Sequence, residues 1–343
     1  MTRRAAWLLF WLAPFVAEIL PGVNPPALLV RQPWALVGLV SLYGSAALLA
    51  RDLTHRWRGG AATLLLLGAA HGAVEEGLMV NSFFDPHWLR LPALQGYGRW
   101  SGVNGVWALH LLVYHAVFSI AVPVVLVELA FPAVRARPWL GPHGFMAVAG
   151  LWALRVGLGA RFDTPYRLSP AQTAGTVALA AALVAAAYGL ARGTRTGRAR
   201  RAPSRRGLHP ATVALASGAA TVAFFGVSWG LPLAGVPAGP VLTLLLALVA
   251  AAAYAGARAR GRAWDDRHTL ALVAGPLGFF ILLAPLQEWR PDPTTLKQGM
   301  TLTAAVTAAA VGFLARRVTA RVRDARPARG TISSTTPHAE ERP

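Results

Sequence analysis

The sequence predicts an all-α, polytopic integral membrane protein of about ten transmembrane helices, with both termini in the cytoplasm. Three observations lead there. Of the 343 residues 55% are apolar and 14% charged, too apolar a balance for a soluble domain of this size. Residues 211–257 contain no Asp, Glu, Lys, Arg or His. That stretch is long enough for two spans of about 20 residues folded back at the Gly- and Pro-rich 230–240. The net charge of +19 comes from Arg placed between apolar runs, the pattern of topology signals rather than of a nucleic-acid groove.

The first element has a basic start and an apolar run (MTRRAAWLLFWLAPFVAEIL), as a signal peptide does. Pro14 and Glu18 interrupt the run and no small-x-small site ends it, so it reads as a retained helix over 5–21. The next apolar segments are 34–50, 61–80, 104–130, 143–160, 170–191, 211–230, 239–257, 269–288 and 299–315. Each is near the ~17–25 residues that span about 30 Å of hydrocarbon. With the N-terminus inside, 25 basic residues fall in inner segments against seven in outer ones, and Arg155 lies within a helix. Trp34, Trp88, Trp100, Trp229 and Trp289 then mark outer helix ends, and Trp57, Trp139 and Trp264 inner ones. The expected location is the plasma membrane, crossed many times. The partners expected are the lipid bilayer and, at the Arg-rich inner loops, anionic headgroups.

Four regions follow. Residues 1–191 form a six-helix bundle carrying the intramembrane ionisable groups, and 192–209 an Arg-rich cytoplasmic linker. Residues 210–316 form a four-helix bundle, and 317–343 a disordered tail. The last four helices are Ala, Leu, Val and Gly with small polar residues, which suits close packing. They hold no counterpart of the acidic and histidine pattern of helices 3 and 4, so an inverted repeat of the transporter kind finds no support. The chain has no cysteine, which excludes disulfides, thiolate metal sites and a cysteine nucleophile.

The chemistry concentrates in 64–115: LLLLGAAHGAVEEGLMV, then NSFFDPHWLRLPALQGYGRWSG, then VNGVWALHLLVYH. Ionisable groups at membrane depth cost about 2.5–3.5 kcal/mol each on insertion scales and are candidate functional groups by default. His71 and Glu75 are four apart and share a helix face. Glu76 is turned about 100° from Glu75, and His110 and His115 are about 140° apart, so not all of them can face one centre. The economical site joins Glu75 and His71 with Glu76 or Glu18 and with His110 or His115. His71, Glu75, His110 and His115 supply the donors for a divalent metal such as zinc. Glu75, Glu76 and His115 are the candidates for activating water. Asp85 and His87, in the aromatic loop above, are a lid or further ligands. Glu128 and Arg155 read as structural. Buried Glu and His also serve as plain interhelical packing groups.

Glu75-Glu76 followed by a histidine on the next helix resembles the glutamate intramembrane proteases that process CAAX proteins and bacteriocins. That family has Glu-Glu-x-x-x-Arg, then Phe-x-x-x-His, then a further His or Asn. Here the arginine position is Val80, the aromatic position is Leu111, His115 fits the histidine, and no third motif occurs in the last four helices. The pattern from Gly72 to Pro132 (EEG, SFFDPHW, YGRW, GVNGVWAL, YHAVFSI, LVELAFP) resembles a group of uncharacterised prokaryotic multi-pass membrane proteins. Three functional readings stand from the residues. One is a membrane-embedded Glu/His hydrolase, metal-dependent, acting on a membrane peptide or lipid. The others are a proton-coupled transporter using the same groups as a relay, and a non-catalytic scaffold.

Overall fold

The computed structural model describes residues 1–88, 96–196, 207–259, 263–289 and 296–325. Ten helical stretches coincide with the ten apolar segments. They are α1 (Thr2–Pro14, continued by a π-helical turn Phe15–Ile19), α2 (Pro33–Arg56), α3 (Ala61–Val74, continued by a π-turn Glu75–Met79) and α4 (Gly105–Ala130). Then come α5 (Pro142–Phe162), α6 (Pro170–Thr196), α7 (Pro210–Leu233), α8 (Ala238–Ala259), α9 (Asp266–Trp289) and α10 (Met300–Asp324). Eight of them are long and apolar enough to cross a membrane. The other two, α1 and α3, are those that carry Glu18 and the His71, Glu75 and Glu76 set.

Burial is inverted relative to a water-soluble protein. Leu215 is 75% exposed and Leu282 74%, whereas Glu75 is 5% exposed and His115 1%. Hydrocarbon solvates the first pair and cannot solvate the second, so the ionisable groups point inward.

The helix ends follow local chemistry. After α2, Arg58 takes a left-handed φ of 58° and the chain turns through Gly59–Gly60 into α3. After α3, Asn81 does the same with φ 63°. A two-residue hairpin pairs β1 (Arg99–Trp100) with β2 (Val103–Asn104) in antiparallel register. Its turn, Ser101–Gly102, has positive φ at both positions, as tight hairpins prefer. Asn104 then caps α4, its side-chain oxygen accepting from Trp107 N at 3.0 Å.

Two bounds differ from expectation. Helix α6 runs to Thr196, into the segment expected as linker, and α10 runs to Asp324, past the expected start of a tail at 317. In α10 the reason is packing: Val318 is fully buried in a cluster with Leu270 and Phe280, and Arg321 donates to the carbonyl of Leu129 at 2.6 Å. The rest of the expected linker and tail, 197–206 and 326–343, lies outside the described residues.

One apolar cluster joins α1, α2, α3 and α4 through residues such as Leu9, Leu42, Leu67 and Val124. A second joins α1 and α4 (Val16, Phe118) to α9 and α10 (Leu277, Val318), so the two expected bundles share a core. Helices α3 and α4 approach closely. A Cβ on Gly68 would lie 2.8 Å from Ala116 Cα, and one on Gly72 2.8 Å from His115 Cβ. Gly68-x-x-x-Gly72 is thus the small-residue stripe that lets two membrane helices touch.

Candidate functional site

Among the described residues, π-helical turns occur at Phe15–Ile19, Val40–Gly44, Glu75–Met79, His115–Ala121 and Gly226–Gly230. The first four lie on α1, α2, α3 and α4 and contain Glu18, Tyr43, the Glu75–Glu76 pair and His115 with Ser119. A π-turn holds an extra residue in the helix, with bonds such as Val80 N to Glu75 O at 2.9 Å, and such turns cluster at functional sites. Four helices therefore each bring a locally widened turn to one place.

There, His71 Nε2 lies 3.2 Å from Glu75 Oε2, and His115 Nδ1 lies 3.5 Å from the same oxygen. One ligand atom from each of the three residues falls within 4.8 Å of the others. Glu76 faces the opposite edge of the imidazole, its Oε1 3.0 Å from His115 Nε2. The other Glu76 oxygen accepts from the Ser82 hydroxyl, which in turn accepts from Trp107 Nε1 at 3.2 Å. Tyr43 OH meets Glu18 Oε1 at 2.6 Å and also meets Glu75 Oε1. Asn24 donates to the remaining Glu18 oxygen at 2.7 Å.

The Tyr43 hydroxyl thus links a carboxylate of α1 to one of α3.

Buried polar groups nearly always find a partner. Here His71 Nδ1 and Nε2 and Glu75 Oε2 are buried and make no hydrogen bond, since the 3.2 Å approach of Nε2 to Oε2 is close but poorly directed. These unused atoms converge with His115 Nδ1, and their lone pairs form a donor set of two imidazoles and one carboxylate. Two ligand atoms held about 2.0–2.2 Å from a tetrahedral zinc lie roughly 3.3–3.6 Å apart. The two measured separations of 3.2 and 3.5 Å are close to that spacing.

His110 does not join the set. Its Nδ1 lies 2.9 Å from Ser228 Oγ, Trp229 Nε1 donates to its Nε2 at 3.4 Å, and its ring stacks on Phe224 and Trp107. Five positions from His115, it faces α7 instead of α3. Asp85 and His87 stay in the loop: the Asp85 side chain accepts from the His87 backbone N–H at 2.8 Å, and His87 is exposed. Glu128 sits at the far end of α4 beside Arg51 (3.0 Å) and His55 (2.8 Å), and Arg155 binds Asp163 at 2.7 Å.

Tyr43, Asn24, Ser82, Ser119 and Trp107 complete the site and were not among the expected residues. Tyr43 had one signal, a phenol inside an otherwise apolar run (VSLYGSAALL), since a buried hydroxyl needs a partner.

The model of an uncharacterized membrane protein family matches residues 7–332, and the chain belongs to that family. No curated protein and no solved structure matches it.

Proposed function

We propose that this member of an uncharacterized membrane protein family is a membrane-embedded, metal-dependent hydrolase of a membrane peptide or lipid. The observation that carries the reading is the convergence of His71 Nε2, Glu75 Oε2 and His115 Nδ1, buried and with two of the three lacking any hydrogen bond. Two histidines and a glutamate holding a divalent ion such as zinc leave a fourth position for water, the composition of catalytic rather than structural zinc sites. A divalent ion held by His71, Glu75 and His115 would supply a water of lowered pKa, about 7, and a Lewis acid for a substrate carbonyl. The hydrolysis it would serve adds the water oxygen to the carbonyl carbon, breaks the C–N or C–O bond and hands the proton to the departing amine or alcohol. Tyr43 holds Glu75 by its other oxygen, which leaves Oε2 free to ligate.

A hydrolase is favoured over a carrier by the direction of the polar contacts. From the site they run toward residues 21–24 and 81–88 through Glu18–Asn24 and Glu76–Ser82. Toward the opposite end, Leu64, Leu67, Val124 and Val127 are buried between the site and the Arg51–Glu128 cluster. That arrangement suits a reaction centre opening to one side. With the N-terminus in the cytoplasm of the plasma membrane, as the Arg distribution predicts, that side is the outer one, and the Arg-rich loops rest on anionic headgroups.

The test is elemental analysis of detergent-purified protein, wild type beside H71A, E75A and H115A, followed by hydrolysis assays on labelled membrane peptides and phospholipids. About one divalent ion per chain in the wild type, lost in each variant, with turnover abolished by E75A, is the expected result. A metal-free wild type would overturn the metallohydrolase. Proton-gradient-driven flux in proteoliposomes without bound metal would establish the carrier in its place.

A further inference from the structure

The adjacent acids Glu75 and Glu76 are not equivalent, and the difference is visible in which edge of His115 each one meets. Glu75 Oε2 lies on the Nδ1 side at 3.5 Å, and Glu76 Oε1 on the Nε2 side at 3.0 Å. The two nitrogens of an imidazole point in nearly opposite directions, so a metal at one excludes the partner of the other from its coordination sphere. Glu76 is also tied on its second oxygen to Ser82, and Ser82 to Trp107. Both of its oxygens are thus engaged, unlike Glu75 Oε2.

We infer that Glu76 is a positioning residue that locks His115 so that Nδ1 is presented to the metal. By accepting from Nε2–H it fixes the tautomer with a free lone pair on Nδ1 and stops the ring from turning over. This is the carboxylate–histidine–metal arrangement found behind catalytic metals, where the outer carboxylate also makes the imidazole a stronger donor. Ser82 and Trp107, on the loop side and at the start of α4, set Glu76 in turn. Ser119 Oγ, 3.0 Å from Nδ1, is the one contact a metal would displace. The inference rests on the metal centre proposed above and assigns the second acid of the pair a role outside the coordination sphere.

The experiment measures affinity for Zn2+ and Co2+ on the full-length protein in detergent, by competition with a chromogenic chelator. The variants are E76Q, E76A and S82A, each checked for folding by its elution volume and thermal melt. The Gln side-chain oxygen can still accept from Nε2–H, so E76Q is expected to bind within about threefold of wild type. E76A loses the lock and is expected to bind about 10–100-fold more weakly at unchanged stoichiometry, as outer-shell changes do. S82A is expected between them, and the Co2+ absorption bands of E76Q should match the wild type.

Wild-type affinity in both E76A and S82A would overturn the inference while leaving the metal centre intact. Loss of stoichiometry or altered Co2+ bands in E76Q would make Glu76 a ligand and overturn it too. A wild type that binds neither ion would overturn the metal centre itself, and the inference with it.

Discussion

Replacing Gly72 by Ala tests whether the site depends on the close approach of α3 to α4. The added Cβ would sit 2.8 Å from His115 Cβ, 2.9 Å from Cδ2 and 3.0 Å from Cγ. Carbon atoms rest at about 3.5–4.0 Å, so the two surfaces must part by roughly 0.7–1.2 Å along this line. The near contact is His115 Cβ, bound to the α4 backbone, so a rotamer change does not relieve it and the helices have to move. Overpacking of this kind costs about 1–3 kcal/mol. Parting the helices takes His115 Nδ1 from its 3.5 Å separation from Glu75 Oε2 to roughly 4.2 Å or more, beyond what one tetrahedral metal spans. We therefore expect a lower thermal midpoint in detergent and a zinc affinity down by about tenfold or more. Gly150, on α5 with nothing within 4 Å of its virtual Cβ, is the control: G150A should bind metal as the wild type does. Unchanged zinc affinity in G72A, or equal damage in G150A, would refute the reasoning.

Tyr43→Phe removes one hydroxyl and leaves an oxygen of Glu18 and one of Glu75 short of a partner, which should cost about 1–3 kcal/mol of stability by denaturant titration and weaken metal binding. Arg51→Ala removes the cation from Glu128 and the donors to the carbonyls of Arg135 and Arg137; the expected loss is about 3 kcal/mol, the low end for a broken buried pair because Glu128 keeps His55. Its zinc stoichiometry should not change. His110→Ala removes the acceptor of Trp229 Nε1 and the ring stacked on Phe224 and Trp107, while Ser228 keeps its bond to the Phe224 carbonyl; it should destabilise, yet leave metal affinity as in wild type, which competition titration checks. At the start of α9, burial would raise the Asp265 carboxyl, but hydrogen bonds from Arg267 and His268 outweigh it and hold it at about 2. A pKa depressed by folding gives stability that is full above the unfolded value of about 3.9 and is lost as pH falls through about 2. D265N should therefore melt below wild type at pH 5–7, and the two melting temperatures should converge as the pH approaches 2.

The membrane fold was legible because one simple quantity sets it, the length of the apolar runs, eight of which form helices long and apolar enough to cross a membrane. Helix ends were less so: the last helix continues past 317 because Val318 packs against α9, a tertiary fact that an Arg-rich composition hides. At the site, the i to i+4 spacing of His71 and Glu75 translated directly into a 3.2 Å contact, since both lie on one turn of one helix. The choice between His110 and His115 was open in the sequence. It is decided by which side of α4 meets α3, and the mark of that side is Gly68 and Gly72, whose small size admits Ala116 and His115. Tyr43 and Glu18 come from helices distant in sequence, and nothing in local spacing brings them to Glu75.

Helical angles in the sequence argued that Glu75, Glu76, His110 and His115 could not all face one centre. The two acids, turned about 100° from each other, both contact His115, from opposite edges, because an imidazole is itself two-sided. The geometry asks less of α3 than convergence: it asks for two carboxylates to straddle a ring. The π-turn Glu75–Met79 begins at this pair, and on α4 the π-turn His115–Ala121 begins at the ring they straddle. Each widened turn departs from α-helical bonding where the side chains meet, a cost that regular packing alone would not require. Paired acids in a membrane helix are expensive, and a scaffold could be built with one or none. Two acids divided between the inner and outer edge of a histidine, with His71 and Glu75 Oε2 left unsatisfied beside them, form the pattern on which the proposed metal centre rests.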